Sequence, residues 1–198
     1  MVTIQIFFKM PEPGKVKTRL IPVLGEEGAS DFAASMIHRL VSLLQGSGLG
    51  ETELWYAGDA GDFLASFEGV ASHQQKGGDL GERMKEALSI GIYRSDKAIL
   101  VGTDCPLIDD AYVATAAALL EDHDVVIGPA EDGGYGLIGV RDAMPDVFSG
   151  IDWGTDQVLA QTCRRLNESR ANYALLPLIW DVDRPEDLPR YYAWLGET

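Results

Sequence analysis

The sequence is poor in cysteine, in histidine and in positive charge, and it has no long apolar run. Its two cysteines, Cys105 and Cys163, lie far apart, and neither belongs to a C-x-x-C pair or to a Cys/His cluster of zinc spacing. They suit a reducing compartment. No stretch approaches the ~18 uninterrupted apolar residues of a membrane span. Met1 to Phe8 passes directly into a β pattern and then into Lys9, without the basic leader, apolar region and cleavage site of an export signal. A soluble, cytoplasmic protein is expected. Lys and Arg number 16 against 31 Asp and Glu, a formal net charge of −15, and no segment gathers cations and aromatics into one face. Nucleic acid is therefore not expected as a partner. His38, His73 and His123 show no ligand spacing, and both the Walker loop and G-x-G-x-x-G are missing. A nucleotide is still compatible with this acidity, because a divalent cation held by carboxylates offsets the charge of a diphosphate locally.

What is present is a pattern of alternating strands and helices. The 198 residues, 46% of them hydrophobic, suffice for one domain spanning 1–198. Thr3 to Phe8 is β-branched and aromatic and reads as an interior strand. From Asp31, the residues Phe32, Met36, Leu40 and Leu44, widened by Ile37 and Val41, predict a helix packed on a sheet. Strands are expected at Thr52–Ala57, Ala98–Gly102, Asp124–Gly128, Tyr135–Val140 and Tyr173–Pro177. Helices are expected at about Gly81–Ile92, Asp109–Glu121, Thr155–Leu166 and Pro185–Leu195. Such alternation predicts a single-domain, mostly parallel, Rossmann-like α/β sheet with right-handed crossovers.

In open α/β sheets ligands bind beyond the carboxyl ends of the strands, so the residues after each apolar run carry the search for chemistry. After the first strand, Lys9 to Leu20 opens a connection of about 20 residues, long for a compact domain. Gly14 permits close backbone approach there, and Lys15, Lys17 and Arg19 concentrate donors suited to phosphate oxygens in an acidic chain. A solvated loop with ordinary lysines is the competing reading. Gly102-Thr-Asp-Cys-Pro106 places Asp104 at a strand tip, where a carboxylate meets Mg²⁺ or Mn²⁺, or else forms a turn before Pro106. Asp132, followed by Gly133 and Gly134, either faces an acceptor hydroxyl or marks a plain Asp-Gly turn. In Trp180 to Asp187, Asp183 either completes a metal site with Asp104 or forms a capping box with Glu186. Trp153 is a candidate ligand wall, Thr155 a candidate N-cap, and Cys105, with no identifiable base, a structural thiol.

Several motifs, taken in order, carry a resemblance. They are Pro13-Gly14 with Lys17-Thr-Arg-Leu20, Gln75 with Gly78-Asp-Leu-Gly-Glu-Arg-Met84, Gly102-Thr-Asp-Cys-Pro106, Gly128-Pro129 with Asp132-Gly-Gly-Tyr135, Trp153-Gly-Thr155, and Asp181-Val-Asp183 with Pro185-Glu-Asp-Leu188. Over nearly its whole length the chain resembles bacterial A-type glycosyltransferase-like proteins, the nucleotide-diphospho-sugar transferases, related to the phospholactate guanylyltransferases. The resemblance implies that Lys17 and Arg19 meet nucleotide phosphates, that Asp104 binds the metal, and that Asp183 adds a second metal contact. It also favours Asp132 as a catalytic group, with Gly133, Gly134 and Trp153 on the acceptor or sugar side. The Asp-x-Asp pair of many glycosyltransferases is reduced here to Thr103-Asp104-Cys105.

The function expected is thus transfer from a nucleotide-diphosphate sugar to a small-molecule acceptor, with Mg²⁺ or Mn²⁺ as cofactor. The rivals are nucleotidyl transfer, which releases pyrophosphate from an NTP, and a catalytically idle nucleotide-binding protein.

Overall fold

The computed structural model describes residues 1–197. Seven strands form one sheet: β1 (Val2–Lys9), β2 (Gly50–Ala57), β3 (Ala71–Gln74), β4 (Lys97–Gly102), β5 (Val125–Pro129), β6 (Tyr135–Arg141) and β7 (Tyr173–Leu175), in the order β3-β2-β1-β4-β6-β5-β7. All neighbouring pairs are parallel except those that β6 makes with β4 and β5. The reversal has a simple cause. Residues 130–134 alone join β5 to β6, too few for the crossover that a parallel pair demands.

Among the described residues five α-helices complete the fold: α1 (Ile21–Gly46), α2 (Leu80–Ser95), α3 (Asp110–Leu119), α4 (Val158–Ser169) and α5 (Asp187–Glu197). Because strand side chains alternate, β1 sends Ile4, Ile6 and Phe8 to one face, where they meet Ile37, Leu40 and Leu44 of α1 and Val113 and Ala116 of α3. Phe7 faces the other side with Leu100 of β4, against Met84, Ala87 and Leu88 of α2 and Leu166 of α4. A third cluster packs Leu188 and Tyr191 of α5 on Phe32 and Met36 of α1, with Trp180 and Val182 beneath. Among the described residues no helix is long and apolar enough to cross a membrane.

A charged group lies within the sheet. The Glu53 carboxylate on β2 is fully buried, pairs with Arg94 at the end of α2 and accepts from Trp55 Nε1 at 3.0 Å. Its burial is tolerable only with such partners.

Three boundaries differ from the sequence reading. Helix α1 begins at Ile21, ten residues before Asp31, with Pro22 in its first turn and a break at Gly25 (φ 73°, ψ 171°). Ile21 and Leu24 of the first turn pack on the third cluster, but the Gly25-Glu-Glu-Gly28 stretch interrupts the apolar period, so the pattern shows only beyond Gly28. Strand β3, not expected at all, is a short edge strand with mostly exposed residues, so it carries no apolar signature. Helix α4 starts at Val158, and Thr155 is not its N-cap: its hydroxyl donates to Asp152 O at 2.8 Å and accepts from Gln157 N at 3.3 Å within the preceding turn.

Candidate functional site

From β1 the chain builds outward through β2 and β3, then returns to lay β4 on the opposite side of β1. The loops leaving β1 and β4 therefore diverge, and such a switch point opens a crevice at the strand tips. A cleft of about 1190 Å³ lies there. It is lined by Lys15, Lys17, Arg19, Asp104, Asp132, Gly134, Trp153 and Asp183, so eight of the ten residues singled out in the sequence meet in one place. Gly14 and Gly133 do not line it. They act on the backbone instead, Gly14 at φ 76° in the loop after β1 and Gly133 at φ 87° behind Asp132.

Lys17 is the best-held cation of the cleft. Its side chain is only 6% exposed, its Nζ lies 2.7 Å from Asp104 Oδ1, and it donates to Val182 O at 2.5 Å. Val182 N in turn donates to Asp104 O at 2.9 Å, so the β1 loop, the tip of β4 and the C-terminal segment are tied at one point. The backbone of Lys17 is left-handed (φ 46°, ψ 41°), a sparsely populated conformation for a side-chain-bearing residue. Nearby, Arg19 pairs with Asp183. The expected capping box takes a different form, because Asp187, not Glu186, reaches back to accept from the amides of Asp183 (3.0 Å) and Arg184 (2.7 Å).

On the far wall, Asp132 Oδ1 accepts from Gly134 N at 2.9 Å, and Leu159 N of α4 donates to Gly133 O at 2.9 Å. A Cβ on Gly133 would stand 2.3 Å from Asp156 O, so close approach as well as φ requires glycine. Trp153 lies against Gly81 at the start of α2, where a Cβ would meet its ring at 2.7 Å, and its edge meets Tyr135.

Asp104, Asp132 and Asp181 line a smaller recess of about 130 Å³ with Gly102 and Gly136. Burial, then the charges of Asp132, Asp183 and Asp104, push the Asp181 carboxyl up to about 6. These acids repel one another, with Lys17 on Asp104 and Arg19 on Asp183 as the neighbouring cations, and hard oxygen donors of this kind suit Mg²⁺ or Mn²⁺. Among the described residues no three His, Cys, Asp or Glu side chains stand close enough to enclose an ion. The residues therefore fit an ion held by one or two carboxylates, with substrate oxygens and water completing the shell, the usual habit of Mg²⁺. Cys105, at the base of the recess, is buried, and its thiol is pushed far up by that burial, which leaves no thiolate nucleophile.

Sequence reasoning passed over other residues of the cleft. Arg83 and Gln75 lie in the motif around Gly78, but Gln75 follows a strand that had no pattern. Its Nε2 donates to Phe8 O (3.1 Å) and Trp55 O (2.9 Å), clamping the tips of β1 and β2. Arg190 and Glu131 are distant in sequence, and only the packing of α5 brings them together.

The family model described as "Uncharacterized protein conserved in bacteria (DUF2064)" matches residues 40–155. No curated protein is significantly similar to the chain. A solved structure from Desulfovibrio desulfuricans G20, described as a "putative nucleotide-diphospho-sugar transferase", is 35% identical over 96% of this chain and 86% of its own, with a TM-score of 0.87. A cytidylyltransferase from Leptospira borgpetersenii shares the fold at 16% identity, covering 100% of this chain and 88% of that one (TM-score 0.68). So does Rv0371c of Mycobacterium tuberculosis H37Rv, solved in complex with manganese, at 14% identity over 96% and 97% of the two chains (TM-score 0.58).

Proposed function

This chain belongs to the DUF2064 family, and from its cleft we propose a metal-dependent transferase that takes a nucleotide-diphosphate sugar as donor and a small hydroxyl-bearing molecule as acceptor. The observation that carries the reading is the meeting of Lys17, Arg19 and Asp104 at the β1/β4 switch point with Asp132 across the same cleft. Two walls of different chemistry face each other, as a two-substrate reaction needs.

In this reading the donor diphosphate lies along the β1 loop. Lys17 and Arg19 bind its oxygens and stabilise the charge that grows as the nucleoside diphosphate departs. Asp104 and Asp181 would hold a divalent ion, which when bound would supply Lewis-acid stabilisation of the same leaving group. Asp183, tied to Arg19, orients that guanidinium and stands beside the ion site as a second carboxylate. Asp132 accepts a proton from the acceptor hydroxyl, its carboxylate aimed by the Gly134 amide. Trp153 and Gly134 form the wall beside the transferred sugar, with Gly133 shaping the turn behind them.

Nucleotidyl transfer is the second reading, favoured by the Lys17-Thr-Arg-Leu20 motif and by the cytidylyltransferase among the fold neighbours. It uses the same Lys17, Arg19 and Asp104, with pyrophosphate as the leaving group. Product analysis separates the two. With nucleotide sugars, Mn²⁺ and a cell extract as acceptor source, glycosyl transfer releases nucleoside diphosphate. Pyrophosphate released from an NTP, dependent on Asp104, with no diphosphate released from any sugar donor, selects nucleotidyl transfer. A protein that binds nucleotide but yields neither product is the idle binding protein.

A further inference from the structure

The carboxylate best placed to meet a divalent ion already holds a cation of the protein's own. Lys17 Nζ lies 2.7 Å from Asp104 Oδ1, and the lysine is buried to all but 6% while Asp104 is 59% exposed. The ammonium is thus the inner partner and solvent the outer one. Lys17 cannot drift away freely, because Val182 O accepts from it at 2.5 Å and Leu20 N holds its own carbonyl at 2.8 Å. A divalent ion arriving alone at Asp104 would meet an ammonium on the same carboxylate, and like charges this close in a partly buried site repel strongly. An ammonium carries three donors, and two are in use on Val182 and Asp104. The third, and the pull of a diphosphate, give a reason for it to turn.

We propose that Lys17 is a built-in counter-cation of Asp104 and that nucleotide and divalent ion enter the cleft as a coupled pair, with the diphosphate drawing the Lys17 ammonium off Asp104 and so freeing that carboxylate for the ion. This rests on the reading of the cleft as a nucleotide site. It goes beyond that reading by assigning Lys17 two successive partners and by making metal affinity depend on them. In the free protein the exchange keeps Asp104 neutralised without a metal. It also discriminates against ligands that lack a diphosphate, because they cannot compete for the ammonium.

The test is Mn²⁺ binding followed by electron paramagnetic resonance, with and without ADP, CDP, GDP or UDP, corrected for Mn²⁺ bound by free nucleotide. In the parent protein a bound diphosphate should strengthen Mn²⁺ binding by about ten-fold or more, and by linkage Mn²⁺ should strengthen the diphosphate by the same factor. Lys17→Met keeps the aliphatic stem and removes the charge. It should bind Mn²⁺ alone about ten-fold tighter than the parent and gain less from the diphosphate than the parent does, since only the direct contact between ion and diphosphate then couples them. Mn²⁺ binding by K17M no tighter than by the parent overturns the exchange, as does parent Mn²⁺ affinity indifferent to a bound diphosphate. If K17M does not fold, Lys17→Gln is read in its place by the same comparison. If no diphosphate of the panel binds the parent with or without Mn²⁺, the nucleotide reading itself fails, which is a different result from binding without coupling.

Discussion

Arg190 grips Glu131 through two hydrogen bonds, Nη1 to Oε2 at 2.8 Å and Nη2 to Oε1 at 3.0 Å, while its guanidinium lies 4.3 Å over the Trp180 ring. The pair fastens α5 to the loop that follows β5, from which Asp132 also projects. Both partners are about half exposed, so the fastening adds no more than about 1 kcal/mol. Arg190→Ala should therefore lower the melting temperature by only about 2–4 °C. Amide exchange in α5 should nonetheless quicken, and an unchanged exchange rate would show that the hydrophobic cluster around Leu188 and Tyr191 holds the helix unaided.

The interior ion pair behaves differently. Arg94 shields a Glu53 carboxylate that has no access to water. Arg94→Met leaves that carboxylate buried without its cation and should cost about 3–5 kcal/mol. The further change Glu53→Gln should recover a good part of the loss, because a neutral amide still accepts from Trp55 Nε1. Urea denaturation of the two variants measures both effects.

Asp181 makes stability depend on pH in an unusual direction. Its carboxyl is held at about 6 in the fold, above an ordinary aspartate, so the fold favours the protonated form. Without metal, its contribution should improve as pH falls from 7 toward 4, the reverse of a salt-bridged aspartate. Asp181→Asn should raise the melting temperature by a few degrees at pH 7, on the order of 1 kcal/mol, with no gain at pH 4. Mn²⁺ should stabilise the parent more at pH 7 than at pH 5, where protons compete with it for Asp181. Thermal melts at three pH values, with and without Mn²⁺, check all of this.

Gly133→Ala should move Asp132 without touching the phosphate wall. The left-handed backbone and the approach to Asp156 O both oppose a Cβ. Turnover should fall by about ten-fold or more while donor affinity changes by less than about three-fold, the pattern of a misplaced catalytic group. An equal loss of donor affinity would place this turn on the nucleotide side.

Much of this architecture was legible in the sequence because its signals are local. The buried runs of β1, β4 and β5 and the stripe from Phe32 to Leu44 report burial directly. The strand-tip rule then led from those runs to Lys17, Asp104 and Asp132. What stayed hidden depends on contacts between distant segments. Asp181 and Asp183 could not be told apart, since the two are near neighbours in one acidic stretch, and only the fold turns the first toward Asp132 and the second toward Arg19. Lys17 read as a free phosphate donor, because its bond to Val182 spans most of the chain. Strand β3 was missed for want of apolar residues, and the role of Gln75 at its tip went with it.

The reversed strand β6 has a consequence for how such a protein can change its substrate. The proposed phosphate wall is assembled from chain segments far apart in sequence, so an alteration there strains several elements at once. The proposed acceptor wall is the tip of a hairpin, residues 130–134 between two strands paired from Val125 to Pro129 with a register shift at Gly128/Pro129. A hairpin tip can be lengthened or re-lettered while its stems stay in register. On the proposed reading, new acceptors are reached most readily by lengthening this loop around a fixed Asp132-Gly133-Gly134, with the nucleotide half left as it is, and a library of insertions there is the place to begin re-engineering specificity.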